Sequence, residues 1–175
     1  AAVISLGGIV SSMSVKVAGN KLDQAISDHI KKQFNLAIGD RMAEEIKINI
    51  GSAIPLEEEL IMTIKGRDFL TGLPRSLEIK SNETVKAMEG ELRSIVKSIK
   101  QVLHQTPPEL ASDIIENGIT MTGGGSLLRN FNVLVSRSTG VPAVVAKDAL
   151  YCVAKGTGIA LEHLDEYKRS IVAKK

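Results

Sequence analysis

Cysteine and aromatic residues are scarce in this chain. Its 175 residues include one cysteine, two tyrosines, three phenylalanines and no tryptophan. A single cysteine excludes an internal disulfide, and no Cys or His spacing matches a metal site. Basic residues are interspersed with acidic ones at a net charge of only +2, and few rings are available for stacking on bases. Nucleic acid is therefore not an expected partner.

Long apolar runs are also missing. No uninterrupted stretch reaches the roughly 18 residues that a membrane helix needs, and the first residues do not resemble a signal peptide. With 43% hydrophobic and 24% charged residues, the composition is typical of a globular domain with an aliphatic core. We expect a cytoplasmic chain. Residues 1–4 already have the pattern of a buried strand, which suggests that the natural protein begins further upstream.

Alternating strands and helices indicate an α/β fold. Gly7 and Gly8 separate two extended runs and predict a β-hairpin over residues 3–17. Thr106 and Glu109 have the spacing of a capping box at the start of a helix. Strand and helix alternate over residues 108–164, which predicts a parallel or mixed sheet, whereas residues 20–80 look like an inserted α+β lobe. The predicted helices are residues 21–34, 41–49, 83–105 and 108–116, and further predicted strands are residues 60–65, 76–79 and 141–146.

The segment from Ile119 to Leu128 carries the most informative motif. A β-branched run breaks into Gly123, Gly124 and Gly125, which predicts a strand, a tight loop and then a helix from Ser126 to about residue 138. Glycine lets the backbone approach a flat ring or a phosphate closely, and the N–H groups of a following helix attract negative charge. The Walker lysine and the third glycine of a dinucleotide fingerprint are both absent. A purely structural glycine turn therefore remains an alternative.

Glu44 and Lys47 are the second polar feature of interest. Their spacing places both side chains on one face of the predicted helix. Two interpretations stay open, namely an ion pair between them and a polar pair that faces a ribose or a base. The three histidines, His29, His104 and His163, lack the partners of a catalytic triad. We interpret them as ordinary helix-surface residues.

Gly156 and Gly158 lie inside the last predicted helix, which runs from about residue 149 to beyond residue 164. Glycine is a poor helix former, at a cost of about 1 kcal/mol relative to alanine. Two glycines at this place are unusual unless another backbone or a ligand loop packs closely against them. We therefore expect a close contact at both positions.

Several motifs spread over the whole chain form a specific combination. They are ISLGGIV at residues 4–10, IGDR and AEEIK at residues 38–41 and 43–47, GRD and TGLP at residues 66–68 and 71–74, TPPEL at residues 106–110, TGGG at residues 122–125, CVA at residues 152–154 and GTG at residues 156–158. As a combination they resemble the MreB family of bacterial actin homologues, the rod-shape-determining proteins.

This resemblance implies an actin-like ATPase fold of the ribonuclease H-like class, with this chain as the second of its two halves. Residues 1–19 and 81–175 would form the core subdomain, and residues 20–80 a smaller inserted α+β subdomain. The chain is then expected to be an excised second domain or a partial gene product. In the family, the nucleotide lies in a cleft between the two halves.

The resemblance also implies a site for ATP or ADP. The glycine loop and the helix start behind it would face the adenosine and the α-phosphate, and the segment from Glu44 to Lys47 would cover the ribose and base. The family's first phosphate loop and its glutamate associated with hydrolysis belong to the other half, and the second phosphate loop would precede Ala1. No residue here is therefore expected to be catalytic or to ligate the Mg²⁺ of the full-length protein, and we expect no measurable ATPase activity. The expected site residues are Gly123, Gly124, Gly125, Ser126, Leu127, Leu128, Glu44, Glu45, Ile46 and Lys47.

The implied function is that of a filament subunit that organises cell-wall synthesis and so determines rod shape. Its partners would be other copies of itself and membrane-anchored cell-shape proteins. The full-length protein would be cytoplasmic and membrane-associated, without direct membrane insertion from this half. Residues 56–62 and 69–73 are candidate subunit contacts. Two alternatives remain, a lobe of a related sugar-kinase or chaperone-type ATPase and a protein-docking module without nucleotide contact.

Overall fold

The computed structural model of the protein describes residues 1–165 and Tyr167. The strands within this part are β1 (Ala2–Ser5), β2 (Gly8–Ser12), β3 (Leu36–Ala37), β4 (Ile61–Asp68), β5 (Pro74–Lys80), β6 (Ile119–Met121) and β7 (Ala143–Val145). The α-helices are α1 (Gly19–Phe34), α2 (Asp40–Ile50), α3 (Ser81–Gln105), α4 (Pro108–Asn117), α5 (Phe131–Thr139) and α6 (Cys152–Glu162), and two 3-10 turns cover Gly124–Leu127 and Ala149–Tyr151. Among these residues we find no helix with the length and apolar character needed to cross a membrane.

The strands of the described residues form three small sheets. β1 and β2 form the predicted antiparallel hairpin, although β2 ends at Ser12, earlier than the sequence suggested. β3, β4 and β5 pair in this order as an antiparallel sheet within the predicted inserted lobe. β6 and β7 pair in parallel, with α5 as their crossover. The expectation of a parallel or mixed sheet over residues 108–164 is confirmed by this parallel pair.

The core forms because the apolar residues of each helix recur at helical spacing. An apolar stripe on α1, formed by Leu22, Ile26 and Ile30, is buried. They join Met88 of α3 and Val135 of α5 in one apolar cluster. This cluster runs from the sheet of β3, β4 and β5 to the strand β6, and it fixes α1 and α2 beside the segment that follows β6.

The β4–β5 hairpin is longer than predicted because its loop closes tightly. Asp68 accepts hydrogen bonds from the backbone N–H groups of Leu70 at 2.9 Å and Thr71 at 3.0 Å. Arg75 Nη1 donates to the other carboxylate oxygen of Asp68 at 2.6 Å, and Arg75 Nη2 donates to the Phe34 carbonyl oxygen at 2.6 Å. These bonds fix the hairpin tip, which we define as residues 69–73.

Two local predictions are wrong. Thr106 does not cap α4, because its Oγ1 donates to the Val102 carbonyl oxygen at 2.7 Å and so belongs to the end of α3. Gly156 and Gly158 have no close contact among the described residues, since a Cβ placed on either would meet no described atom within 4 Å. Both glycines lie on the exposed surface of α6.

The interpretation of His29 as a surface residue is also wrong. Its Nε2 lies 2.9 Å from Glu83 Oε2, and only 16% of the histidine side chain is exposed. The packing of α1 against α3 explains this position, because it brings the two side chains together between the helices. His104 and His163 are exposed.

Candidate functional site

The segment after β6 turns at three glycines but does not enter an α-helix there. Gly123 has a positive φ of 81°, and the residues after it form a 3-10 turn over Gly124–Leu127. Ser126 Oγ donates to the Gly123 carbonyl oxygen at 2.6 Å and closes this turn. Leu128 is then extended, with φ −58° and ψ 128°.

The prediction of a helix beginning at Ser126 is therefore wrong, since α5 begins at Phe131 after Asn130 in the left-handed region. The physical reason is the pair of glycines with low helix propensity and a serine side chain that bonds its local backbone. A helix N-terminus does not contribute the expected attraction for anions at this point. The backbone of the loop is exposed at Gly124 and Gly125.

Lys47 on α2 pairs with a residue that the sequence did not single out. Its Nζ lies 2.8 Å from Asp23 Oδ1 and 2.9 Å from Asp23 Oδ2, and only the second contact has hydrogen-bond geometry. The two side chains are 16% and 13% exposed. The interpretation of Glu44 and Lys47 as an ion pair is wrong, because the packing of α1 against α2 brings Asp23 to the lysine.

A cavity of about 850 Å³ lies where α1, α2 and the glycine loop meet. This volume falls within the range of small-molecule sites. Glu44 and Lys47 form part of one wall, and Gly124 and Gly125 form part of another, so two segments far apart in sequence face the same space. The lining residues are Ala18, Gly19, Asn20, Leu22, Glu44, Lys47, Ile48, Gly124, Gly125, Leu127, Leu128, Arg129 and Leu150.

Four of the expected site residues are not among the residues that line the cavity. Ile46 is fully buried in the core, and the Glu45 carboxylate accepts a hydrogen bond from Arg41 Nε at 3.1 Å. Ser126 is 4% exposed, and the Gly123 N–H donates to the Ala149 carbonyl oxygen at 2.8 Å. Ile46 and Ser126 therefore pack in the interior, whereas the Glu45 side chain is 41% exposed.

A backbone bridge forms the connection beneath the cavity. Ser52 pairs with Arg129 as an isolated parallel bridge, and the Ala53 N–H donates to the Arg129 carbonyl oxygen at 2.8 Å. Asn130 Nδ2 lies 3.4 Å from Ser52 Oγ. The end of α2 is therefore tied directly to the end of the glycine turn, which holds the two walls at a fixed separation.

The lining of the cavity is aliphatic with a few polar groups. Asn20, Glu44, Lys47 and Arg129 supply the polar side chains. Glu44 is exposed, and its carboxylate makes no hydrogen bond or ion pair to any residue that the structure describes. An ionised carboxylate only accepts hydrogen bonds. Such a cavity suits a flat apolar ring attached to a unit that carries hydroxyl donors.

Sequence reasoning missed several wall residues. Gly19 and Asn20 open α1, and they could have been found as a Gly-Asn pair between a hairpin and a helix. Ile48, Arg129 and Leu150 reach the cavity through tertiary packing, and their local sequence carries no signal for it. Within residues 1–165 and Tyr167, we find no group of three or more His, Cys, Asp or Glu side chains placed to hold a metal ion.

Comparison with known sequences identifies similar proteins. The sequence model of the MreB/Mbl protein family matches residues 1–169. Cell shape-determining protein MreB of Escherichia coli (strain K12) is 46% identical over 164 residues, which cover 94% of this chain and 47% of that protein. Cell shape-determining protein Mbl of Bacillus subtilis (strain 168) is 44% identical over 165 residues, which cover 94% of this chain and 50% of that protein. The chain spans about half the length of the curated relatives it matches.

Solved structures show the same likeness. MreB5 of Spiroplasma citri bound to ADP is 40% identical with a TM-score of 0.90, over 96% of this chain and 51% of that one. The same protein bound to AMPPNP gives a TM-score of 0.89 over 97% and 51%. A MamK double helical filament, at 22% identity, gives a TM-score of 0.66 over 79% of this chain and 42% of that one, a likeness of fold alone.

Proposed function

The chain belongs to the MreB/Mbl family and has its actin-like fold, and from this premise we propose that its cavity binds the adenosine part of ATP or ADP. One observation carries the proposal. Glu44 and Lys47 on α2 face the same cavity as Gly124 and Gly125 of the glycine loop. The MreB5 structures, which hold ADP and AMPPNP, support this choice of ligand.

The groups on the cavity walls fit such a ligand. Ile48, Leu127 and Leu150 offer aliphatic surface to a purine, and the free Glu44 carboxylate accepts hydrogen bonds from ribose hydroxyls. A Cβ placed on Gly125 meets no described atom within 4 Å, so the backbone there is open to close approach by a ligand. We propose that this chain alone binds nucleotide only weakly and does not turn over ATP, since electrostatic capture of the terminal phosphates and Mg²⁺ falls to other parts of the longer relatives.

Gly125→Val tests the proposed site. The new side chain enters open space next to the cavity, so the fold tolerates it while access to the backbone is blocked. We expect at least about a tenfold loss of affinity, equivalent to about 1.4 kcal/mol, in an anisotropy titration with fluorescent ADP. Gly90→Val is the matched control, because Gly90 also faces open space but lies on α3 away from the cavity.

Two results would overturn the nucleotide site. One is a wild-type chain that shows no saturable binding of ADP. The other is a Gly125→Val variant with the affinity of Gly90→Val, which is the outcome expected for a module that docks proteins without nucleotide contact.

We further propose that the chain acts as part of a cell shape-determining filament protein. The support is the family and the names of its curated relatives. Residues 1–19 and 81–175 would form the core subdomain and residues 20–80 the inserted one, since α1, α2 and the sheet of β3, β4 and β5 all fall between these limits to within one residue. Membrane-anchored cell-shape proteins would be partners of the longer protein.

The hairpin tip is the proposed contact between copies of the chain. Phe69, Leu70 and Leu73 are 56%, 78% and 65% exposed, although Asp68 and Arg75 hold the backbone around them in place. A rigid apolar projection loses little conformational entropy when it binds. It therefore suits insertion into a neighbouring subunit.

A further inference from the structure

Lys47 has two carboxylates within reach of its side chain. Glu44 precedes it on α2 at a spacing that brings side chains together on one helix face, and Asp23 faces it from α1. Lys47 Nζ lies within 2.9 Å of both oxygens of Asp23. Glu44 has no partner in the described part of the chain. The position of this one ammonium group therefore determines which carboxylate is free.

Partial burial explains why Lys47 selects Asp23. The two side chains are 16% and 13% exposed, and charges are screened less in such a place than at the surface. Asp23 Oδ1 is fully buried without a hydrogen bond of its own, and its charge is balanced by Lys47 Nζ. The lysine also lies 3.5 Å from the Gly19 carbonyl oxygen. Glu44, in contrast, is exposed and can be hydrated.

We propose that Asp23 is a positioning residue of the cavity: by holding Lys47 against α1, it keeps the Glu44 carboxylate free for the vicinal hydroxyls of a ribose. This inference rests on the proposed nucleotide site and adds how that site selects a ribose. A free carboxylate accepts two hydrogen bonds from neighbouring hydroxyls, and bonds to a charged acceptor are strong ones. A carboxylate already paired with an ammonium group has fewer lone pairs free to accept hydrogen bonds from these hydroxyls.

Removing the charge of Asp23 should redirect Lys47. In Asp23→Asn the ammonium group loses its charged partner, and Glu44 is the carboxylate that the same helix face presents. The i, i+3 pair that the structure lacks then forms inside the cavity. The effect on ligand binding therefore acts through Lys47 and Glu44, and a second substitution at Lys47 should reverse it.

The test compares adenosine with 2′,3′-dideoxyadenosine in NMR titrations of the full chain. We expect the wild type to prefer adenosine by roughly tenfold, as is typical of a lost hydrogen bond to a charged group. Asp23→Asn should bind both nucleosides alike. Asp23→Asn combined with Lys47→Met should recover the preference for adenosine, even if the loss of Lys47 from the cavity wall lowers the affinity for both nucleosides, because no ammonium group remains to occupy Glu44. Asp28→Asn is the matched control on α1, where Asp28 is exposed and contacts Gln24, and it should keep the wild-type preference.

If Asp23 only holds α1 and α2 together, the double variant should show no more preference for adenosine than Asp23→Asn does. That result, or an Asp23→Asn variant with the wild-type preference, overturns the inference while the nucleotide site stands.

A crystal structure of unliganded Asp23→Asn gives a readout independent of binding. We expect Lys47 Nζ to contact the Glu44 carboxylate, and a lysine that stays against α1 overturns the inference even if the wild type binds no nucleoside.

Discussion

Gly51 shows how a single residue supports the site. It follows α2 directly, and its N–H donates to the Ile46 and Lys47 carbonyl oxygens at 3.1 Å each. A Cβ at this position would lie 2.2 Å from the Lys47 carbonyl oxygen, a distance that no real contact reaches. Only glycine therefore lets the chain leave α2 and reach the bridge between Ser52 and Arg129.

Gly51→Ala should destabilise the protein because the end of α2 must shift to accommodate the methyl group. We expect a loss of about 2 kcal/mol in the free energy of unfolding, as for other overpacked positions, measured by urea denaturation. Gly90→Ala is the control. Gly90 lies in α3 with open space around it, and alanine there should stabilise the helix by about 1 kcal/mol. Equal stabilities of the two variants would contradict this account.

Asp68 should make the stability of the fold depend on pH. The backbone N–H of Thr71 is the main cause that holds the pKa of Asp68 below its ordinary value, with further lowering by the N–H of Leu70 and by Arg75, against an opposing effect of burial. A carboxyl group with a lowered pKa stabilises the fold fully above its unfolded pKa, and this contribution is lost as the pH falls through the folded value.

Asp68→Asn should therefore be less stable than the wild type at pH 7, with a smaller difference at pH 3. The amide lacks the charge that the N–H groups and Arg75 stabilise. Urea denaturation midpoints of both proteins at the two pH values measure this difference. If the difference between the two midpoints is the same at both pH values, the charge of Asp68 does not contribute to stability.

At the scale of the elements, periodicity predicted most of the fold. The stripe through Leu22, Ile26 and Ile30 gave α1, because burial on one helix face leaves a regular pattern in the sequence. Element ends were less predictable. The Thr106 hydroxyl donates to the last turn of α3, and the Ser126 hydroxyl donates to the carbonyl oxygen of Gly123 in its own 3-10 turn. Short polar side chains have several local backbone partners, and the sequence does not show which one is used.

The hairpin tip carries the prediction that belongs to this scale. If it contacts a second copy, the sedimentation coefficient of the wild-type chain should rise with concentration, and Leu70→Ser with Leu73→Ser should reduce that rise by removing apolar contact area. Ile115→Ser is the control, since Ile115 on α4 is also 60% exposed but lies outside the tip. A double variant that associates like the wild type excludes the tip as the contact.

At the scale of the whole molecule, the cavity was beyond the reach of pattern analysis. Periodicity places Glu44 and Lys47 on a helix and the glycines on a loop, but it does not say that the two meet. The resemblance to a known family supplied that expectation, and the packing of α1, α2 and α3 around one apolar cluster shows how the chain brings them together. The ion pair between Asp23 and Lys47 could not be predicted from the sequence, because a pair between two helices leaves no local sequence signal.

The central claim is that one adenine nucleotide contacts both walls of the cavity. An NMR titration of the isotope-labelled chain with ADP tests it most directly. The account predicts that the amide signals of Glu44, Lys47, Gly124 and Gly125 shift together and follow a single dissociation constant. Shifts confined to one wall, or an absence of shifts at both walls at saturating ADP, would contradict it.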